Sequence, residues 1–374
     1  MNILVTGSKG FIAKNLLVSL RRRNDLNIVE YDLDSNPEMF DELLYNADVI
    51  FHLAGVNRPQ NEEEFQKVNA DLSKHICDTL RECKKKPLVL FSSSTQAILD
   101  NPYGRSKRIA EEEFIRLSRE SDVPVAIFRL PGVFGKWCRP NYNSVVATFC
   151  YNISRNLPIT VSDPNHKIDL VYIDDVIEAF LQVMDRKIIP REDGFYAIHN
   201  IYNITLGKLA DTIHFFRESR KSLHLSDFND PFIRRLYATY ISYLPTDDFA
   251  YFLAQRIDQR GELAELLKST HLGQIFISRT RTGITRGHHY HNTKVEKFVV
   301  LEGDAVIRFR NILGHDVIEY PVSGKQFRVV DIPPGYTHSI ENVGQSDLIV
   351  LFWADEIFEP SNPDTFPMSV FQEK

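Results

Sequence analysis

Residues 2 to about 130 most narrowly constrain the fold, because short runs of β-branched and apolar residues alternate there with longer stretches of helical period. Such alternation is the signature of a parallel sheet with crossover helices. Strands are predicted over 2–6, 27–32, 48–53, 87–92 and 123–129, with helices near 10–22, 61–83 and 103–120. Thr205 followed by Leu206, Leu209, Ala210, Ile213 and Phe216 gives an N-cap residue and one apolar face, predicting a further helix in a second lobe of the same domain. Past Pro231 and Pro245 the pattern changes. From about 256 onward short alternating strands with Gly and Pro turns predict an antiparallel barrel. At 374 residues the chain is long for one core. The expected division is an α/β doubly wound domain over 1–245 and an all-β barrel over 246–374.

Hydrophobic residues make up 43% and charged residues 25%, which is ordinary for a soluble protein. The apolar runs fall short of the ~20 residues a membrane span needs, so no membrane partner is expected. The first residues lead straight into an apolar strand without a basic leader, the reading expected of a cytoplasmic protein. Cys77, Cys83, Cys138 and Cys150 form no CxxC pair, which argues against a disulfide framework or a thiolate zinc site. A net charge of −6 argues against a nucleic-acid surface, while local arginines and backbone N–H groups can still hold a nucleotide's phosphates. A small-molecule partner is expected.

The turn Gly7-Ser8-Lys9-Gly10-Phe11-Ile12 lies between the first strand and a long helix, where glycines let the backbone approach a pyrophosphate at the helix N-terminus. Asp32, at the end of the second strand, is placed to bond ribose hydroxyls, with Asp34 competing for that role. Leu53-Ala54-Gly55 closes the third strand beside the expected cofactor. Ser94 ends a serine run, and nine residues later Tyr103 and Lys107 stand at i and i+4 on one helix face. A phenol with a pKa of about 10 is a poor proton shuttle, and an adjacent ammonium favours its phenolate. Tyr103 can then protonate a carbonyl oxygen that Ser94 also bonds, while a nicotinamide delivers hydride to the carbon.

Together with Arg129-Leu130-Pro131-Gly132 and Tyr172-Ile173-Asp174-Asp175, these motifs resemble the extended short-chain dehydrogenase/reductase family over residues 1 to about 190. Ala13 replaces the usual third glycine, a change a methyl-sized space tolerates. Sugar-nucleotide dehydratases of this family carry an Asp-Glu pair after the serine or threonine. Here Thr95-Gln96-Ala97 follows Ser94, so the resemblance implies reduction or redox epimerisation rather than dehydration.

The second half carries its own chemistry. His289 and His291 are two apart along a predicted strand and share a face. Glu296 on the next strand and His338 on a later one complete a set of three nitrogens and one carboxylate suited to zinc or another divalent metal. Gly283, Gly303, Pro334-Gly335 and Asn342 space these residues as in the cupin family, which the chain resembles over 256 to about 355. A fainter resemblance to cupin-type sugar-nucleotide 3,5-epimerases lies in Arg260, Glu265 and Arg286, which it implies contact substrate. It also implies that His289 removes a proton beside a ketone. If a metal holds that nitrogen, Tyr336 or His288 is the alternative base.

A reductase fused to such a cupin, with Arg139 and Asn141 in the run from Gly135 to Ser144, resembles bifunctional enzymes of capsular-polysaccharide synthesis over nearly the whole chain. That resemblance implies a UDP-linked 2-acetamido-2,6-dideoxy-4-hexulose substrate, substrate contacts by Arg139 and Asn141, and a homodimer. It implies NADPH, whereas Asp32 would repel a 2′-phosphate, so NADPH and NADH both stay open. The other reading is a single-activity reductase whose cupin serves dimerisation or sensing.

Overall fold

The computed structural model describes residues 1–59 and 61–372. Its contacts divide the chain into two compact units, Met1–His214 with Arg235–Pro245, and Phe215–Arg234 with Thr246–Lys374.

In the first unit β1 (Asn2–Thr6), β2 (Asn27–Tyr31), β3 (Val49–His52), β4 (Leu88–Ser94) and β5 (Val125–Leu130) form a parallel sheet in the order β2-β1-β3-β4-β5. Ile3 and Val5 enter one apolar cluster and Leu4 another, so alternate residues of β1 bury against opposite layers. One layer holds α1 (Phe11–Leu20) with, further along the chain, residues 173–184. The other holds α2 (Phe40–Asn46), α3 (Leu72–Glu82) and α4 (Pro102–Ser121). Covered on both faces, this is a doubly wound Rossmann-type sheet. The chain continues through β6 (Gly132–Phe134), α5 (Val145–Ser154), β7 (Lys167–Tyr172), α6 (Ile173–Met184), β8 (Tyr202–Thr205), α7 (Leu206–Ser222) and α8 (Pro231–Ile241). β6, β7 and β8 make a separate three-stranded sheet.

Two segments differ from their sequence expectation. The helix expected over 61–83 opens as a π-helical stretch, Phe65–Asp71. Its extra backbone width turns Asn69 inward, where the amide accepts from Val56 N (2.9 Å) and donates to Val56 O (3.1 Å). Pro231, which the sequence placed in the segment where the pattern changes, starts a helix, α8. Its missing N–H costs nothing at that position, and Asp230 Oδ1 accepts from Phe232 N at 2.8 Å.

The second unit is almost wholly β. Its strands are β9 (Gln255–Asp258), β10 (Gly261–Ser269), β11 (Gly273–Thr280), β12 (Thr285–Tyr290), β13 (Glu296–Glu302), β14 (Asp304–Asn311), β15 (Val317–Ser323), β16 (Val329–Ile332), β17 (Tyr336–Asn342), β18 (Leu348–Ala354) and β19 (Phe366–Pro367). They form two antiparallel sheets, β16-β13-β18-β11-β10-β9 and β15-β14-β17-β12-β19. Phe298, Val300 and Phe352 from one and Ile307, Phe309 and Ile340 from the other share a single apolar cluster, so the sheets pack face to face. No helix among the described residues is long and apolar enough to cross a membrane.

Candidate functional site

At the C-terminal ends of the parallel strands, Gly7 has φ +67°, and a Cβ there would stand 2.6 Å from Ala54 Cα. Only glycine lets the turn pass this close to the end of β3, and the crevice left is of the kind a dinucleotide backbone fills. Gly10 is the N-cap of α1 and supplies no side chain to cap it, so the first-turn N–H groups, which have no intrahelical partner, are the ones a bound anion could use, while Ser8 N donates to Tyr31 O at 3.3 Å. Phe11, Ile12 and Leu53 pack partly against the core beneath. Asp32 Oδ2 accepts from Lys9 N at 2.7 Å and Oδ1 from Leu33 N at 2.8 Å, while the Lys9 ammonium pairs with the exposed Asp34 at 2.5 Å. A Cβ at Gly55 would crowd Asn69 Oδ1 at 3.1 Å and Lys107 Nζ at 3.2 Å.

Asn101 and Pro102 fix where α4 begins: Asn101 Oδ1 accepts from Gly104 N at 2.7 Å, and Pro102 occupies the first turn. Gly104 is obligatory, since a Cβ would lie 2.3 Å from Gln96 O. Tyr103 is thereby brought to the end of β4, where it bonds Ser94. Lys107, one turn on, is buried, and its Nζ donates to Ser92 O at 3.0 Å. The electrostatics differ from the sequence expectation. Burial pushes the Tyr103 phenol above its ordinary value, with the Ser94 bond working the other way. Burial also brings the Lys107 amine down to about 8, opposed by Glu111. In this dry setting desolvation outweighs the help the ammonium was expected to give the phenol.

Sequence reasoning missed Glu111 behind this pair, and it placed His52 only as the start of the His52-Leu53-Ala54-Gly55 run beside the expected cofactor. Glu111, four residues beyond Lys107 on the same helix face and 2% exposed, accepts from Arg129 Nε (2.9 Å) and Nη2 (2.6 Å) and from Ser93 Oγ. His52 is fully buried between Thr6 Oγ1 (2.8 Å) and Ser73 Oγ (3.0 Å), and burial, reinforced by Lys107, depresses it to about 3. The i+4 repetition could have flagged Glu111, whereas the sequence motif that contains His52 does not reveal its burial or its two hydroxyl partners.

In the second unit, His289, His291, Glu296 and His338 each offer one ligand atom, all within 4.8 Å of one another. His289 and His338 are register partners across β12 and β17, and Glu296 opens β13 on the facing sheet. A bulge between Gly287 and His289 leaves His288 at φ +58°. His291 Nδ1 is 2.6 Å from Asp364 O and His338 Nδ1 3.4 Å from Tyr336 O. A carbonyl only accepts, so each ring carries a proton on Nδ1 and turns its Nε2 inward, toward Glu296 Oε2 at 3.4 Å for His291 and 3.6 Å for His338. Both Nε2 atoms are buried without a hydrogen-bond partner. Burial, with His338 and His291, lowers His289 to about 4, leaving a neutral imidazole. Burial opposes ionisation of Glu296, yet His291 and His338 hold it at about 2. Three imidazole nitrogens and a carboxylate gathered within 4.8 Å, with the buried Nε2 atoms of His291 and His338 lacking a hydrogen-bond partner, fit a first-row divalent ion.

The residues expected at substrate divide into groups. Arg139 and Asn141 are exposed on the loop after β6, Arg139 over the Tyr142 ring at 5.1 Å and Asn141 donating its N–H to Thr148 Oγ1 at 3.0 Å. Tyr243 Oη anchors that loop by donating to Cys138 O at 2.6 Å. Arg260 pairs with Asp258 at 2.5 Å, and both bear electrostatically on Arg286, whose Nε donates to Thr280 Oγ1 at 2.8 Å. Glu265 sits apart from that pairing, at a β10 bulge between Arg256 (3.4 Å) and Lys268 (2.8 Å). Tyr336 opens β17 and packs partly against the core, and His288 Nδ1 accepts from Val370 N at 3.3 Å.

A doubly wound sheet with a glycine turn and a Ser-Tyr-Lys cluster at its strand ends defines a nicotinamide-dependent enzyme of the extended short-chain dehydrogenase/reductase class. The chain belongs to the NAD dependent epimerase/dehydratase family, whose sequence model matches residues 3–204, and a polysaccharide biosynthesis C-terminal domain matches 256–366. It is similar over 99% of its length, and 99% of the relative's, to UDP-2-acetamido-2,6-beta-L-arabino-hexul-4-ose reductase of Pseudomonas aeruginosa, at 44% identity. Its structure matches the capsular polysaccharide assembling protein CapF of Staphylococcus aureus with a TM-score of 0.92 and 43% identity, covering 99% of this chain and 100% of that one. UDP-glucose 4-epimerase of Thermotoga maritima shares the fold alone, at 21% identity and a TM-score of 0.51, over 58% of this chain and 82% of that one.

Proposed function

We propose that the chain performs two successive steps on a UDP-2-acetamido-2,6-dideoxy-4-hexulose in capsule-precursor synthesis. Residues 246–374, a cupin in this reading, epimerise C3; residues 1–245 then reduce the C4 ketone to UDP-N-acetyl-6-deoxy-L-talosamine, on the route to UDP-N-acetyl-L-fucosamine. The observation that carries the reading is the presence, in one polypeptide, of a Ser94-Tyr103-Lys107 reductase cluster and a buried four-ligand cluster. End-to-end similarity to a 4-hexulose reductase gives the substrate class.

Carbonyl chemistry sets the order. A C3–H is acidic only while C4 is a ketone, so proton exchange precedes reduction. In the second unit His289, His291, Glu296 and His338 would hold the ion, zinc in the first instance, which when bound supplies Lewis-acid polarisation of the C4 oxygen. With the His289 nitrogen engaged as ligand, the base is Tyr336 in this reading, since His288 is taken up by Val370. The proton removed from C3 returns to the opposite face. Arg260 and Arg286, and separately Glu265, contact the nucleotide-sugar in this reading.

In the first unit Tyr103 donates its proton to the C4 oxygen, Ser94 bonds that oxygen, and Lys107 stabilises the phenolate left behind. The reduced nicotinamide, when bound, supplies hydride to C4. Gly7, Ser8, Gly10, Ala54 and Gly55 line its cradle, and Arg139 and Asn141 border the sugar side. The cofactor is NADPH in this reading, with NADH open as well, since accepting from Lys9 N and Leu33 N does not neutralise the Asp32 carboxylate and the Lys9 ammonium beside it is paired with Asp34. A homodimer is supported by β9, an exposed edge strand with Ile257 64% exposed, following the fully exposed Phe252.

The test is incubation of the pure protein with the UDP-4-hexulose and either NADPH or NADH, with the product assigned by NMR. A C3-inverted, C4-reduced sugar is the expected product. Reduction with C3 configuration retained would instead favour a single-activity reductase.

A further inference from the structure

One short segment near the C-terminus is tied to both strands that carry imidazoles of the cluster. Pro367 pairs with His289 in β12, Met368 N donates to His288 O at 2.8 Å, and Thr337 Oγ1 in β17 donates to Met368 O. Arg310 in β14 holds the same segment through Ser369 O and Val370 O, each at 2.9 Å.

Asp364 occupies the key position in this segment. Its carbonyl takes the Nδ1 proton of His291, while its carboxylate accepts from three successive backbone N–H groups, Asn292 (3.0 Å), Thr293 (2.9 Å) and Lys294 (2.9 Å), and from Thr293 Oγ1 (3.1 Å). These bonds shape the whole turn between His291 and Glu296. Lys294, 3% exposed, reinforces it by donating its ammonium to Pro363 O at 2.6 Å. Asp364 itself has φ +37°, a conformation a non-glycine residue keeps only when its surroundings hold it there.

We propose that Asp364 is a positioning residue of the metal centre, fixing the tautomer and direction of His291 through its carbonyl and the approach of Glu296 through its carboxylate. The inference rests on the metal reading above. A carbonyl bonded to the outer nitrogen of a ligating imidazole is a general device for raising ligand basicity, and disturbing such partners typically costs roughly 10- to 100-fold in metal affinity.

The test uses the full chain as wild type, Asp364→Ala, Asp364→Asn and Lys294→Met, stripped of metal and titrated with zinc against a chromophoric chelator. Circular dichroism with cooperative thermal unfolding checks that each protein, its β-rich second unit included, is folded, and the absorption spectrum after cobalt loading reports ligand geometry. Wild type is expected to bind one equivalent. Asp364→Ala keeps the main-chain carbonyl but loses the carboxylate that holds that carbonyl and the 292–294 turn in place, and is expected to bind zinc roughly 10- to 100-fold more weakly with an altered cobalt spectrum; Asp364→Asn, which keeps one acceptor oxygen, is expected to fall between. Zinc affinity and cobalt spectrum equal to wild type in Asp364→Ala would overturn the positioning role. If that protein does not fold, the same criterion applied to Asp364→Asn and Lys294→Met decides. Failure of the wild type to bind any divalent ion would overturn the metal reading itself, a result distinct from a variant that binds normally.

Discussion

The Nζ of Lys107 lies 3.0 Å from the carbonyl oxygen of Ser92, two residues before the serine that Tyr103 bonds. Strand β4 thus holds the ammonium in place, and burial brings that amine down to about 8. Proton donation by Tyr103 leaves a phenolate that the charged form of Lys107 stabilises. The reduction rate therefore falls as pH rises through about 8. A pH profile of kcat/KM for ketone reduction, which reports the free enzyme, checks this. In Lys107→Arg, whose guanidinium stays charged, the alkaline limb near 8 should vanish even though the rate is lower.

Tyr103→Phe removes the proton donor while leaving the α4 cap, set by Asn101 and Gly104, intact. Ketone reduction is expected to drop by roughly 10²- to 10⁴-fold, the usual range for one acid-base group. Nicotinamide binding and C3 proton exchange should persist. Stopped-flow loss of NADPH absorbance and a separate exchange assay measure the two steps independently.

Gly7→Ala places a methyl 2.6 Å from the Ala54 backbone in a turn with φ +67°. Backbone strain of this kind costs on the order of 1–3 kcal/mol, about 5- to 150-fold in affinity if it falls on the bound state. Fluorescence titration should show that loss for NADPH, with zinc content unchanged.

His52 should make the first unit acid-sensitive. Its folded pKa of about 3 lies below the ordinary 6.5, so between those values the unfolded chain binds a proton that the folded chain refuses. Stability then rises with pH across that window and is lost on acidification, by about 2 kcal/mol from pH 6.5 to pH 5. Urea unfolding followed by loss of nicotinamide binding measures it. His52→Gln should be less stable at pH 7, having lost the ring bonded to Thr6 and Ser73, and should show a shallower pH slope.

Much of this was legible in the sequence wherever local spacing carried the signal. Short apolar runs placed β1, β3, β4 and β5, because strands buried on both faces are continuously apolar, while the edge strand β2 showed as a shorter run broken by Glu30; the i, i+4 relation of Tyr103 and Lys107 survives in α4. The two-residue spacing of His289 and His291 brought both imidazoles to one cluster despite the bulge at His288. Groups whose role depends on the finished fold were not legible. Asp364 is 73 residues from the histidine it orients, and no periodicity links them. The inward turn of Asn69 needs a π-helical stretch that the apolar pattern does not distinguish from an ordinary helix. Burial, a tertiary quantity, reversed the expected effect on the Tyr103 phenol.

Deuterium uptake tests the two-step account most directly. The wild-type protein, loaded with zinc but given no nicotinamide, is incubated with the UDP-2-acetamido-2,6-dideoxy-4-hexulose in heavy water, and C3 is followed by proton NMR. Loss of the C3 proton signal, abolished in His291→Ala and preserved in Tyr103→Phe, is the predicted result. A C3 proton that stays in place while the same preparation, once supplied with NADPH, reduces the ketone would contradict it.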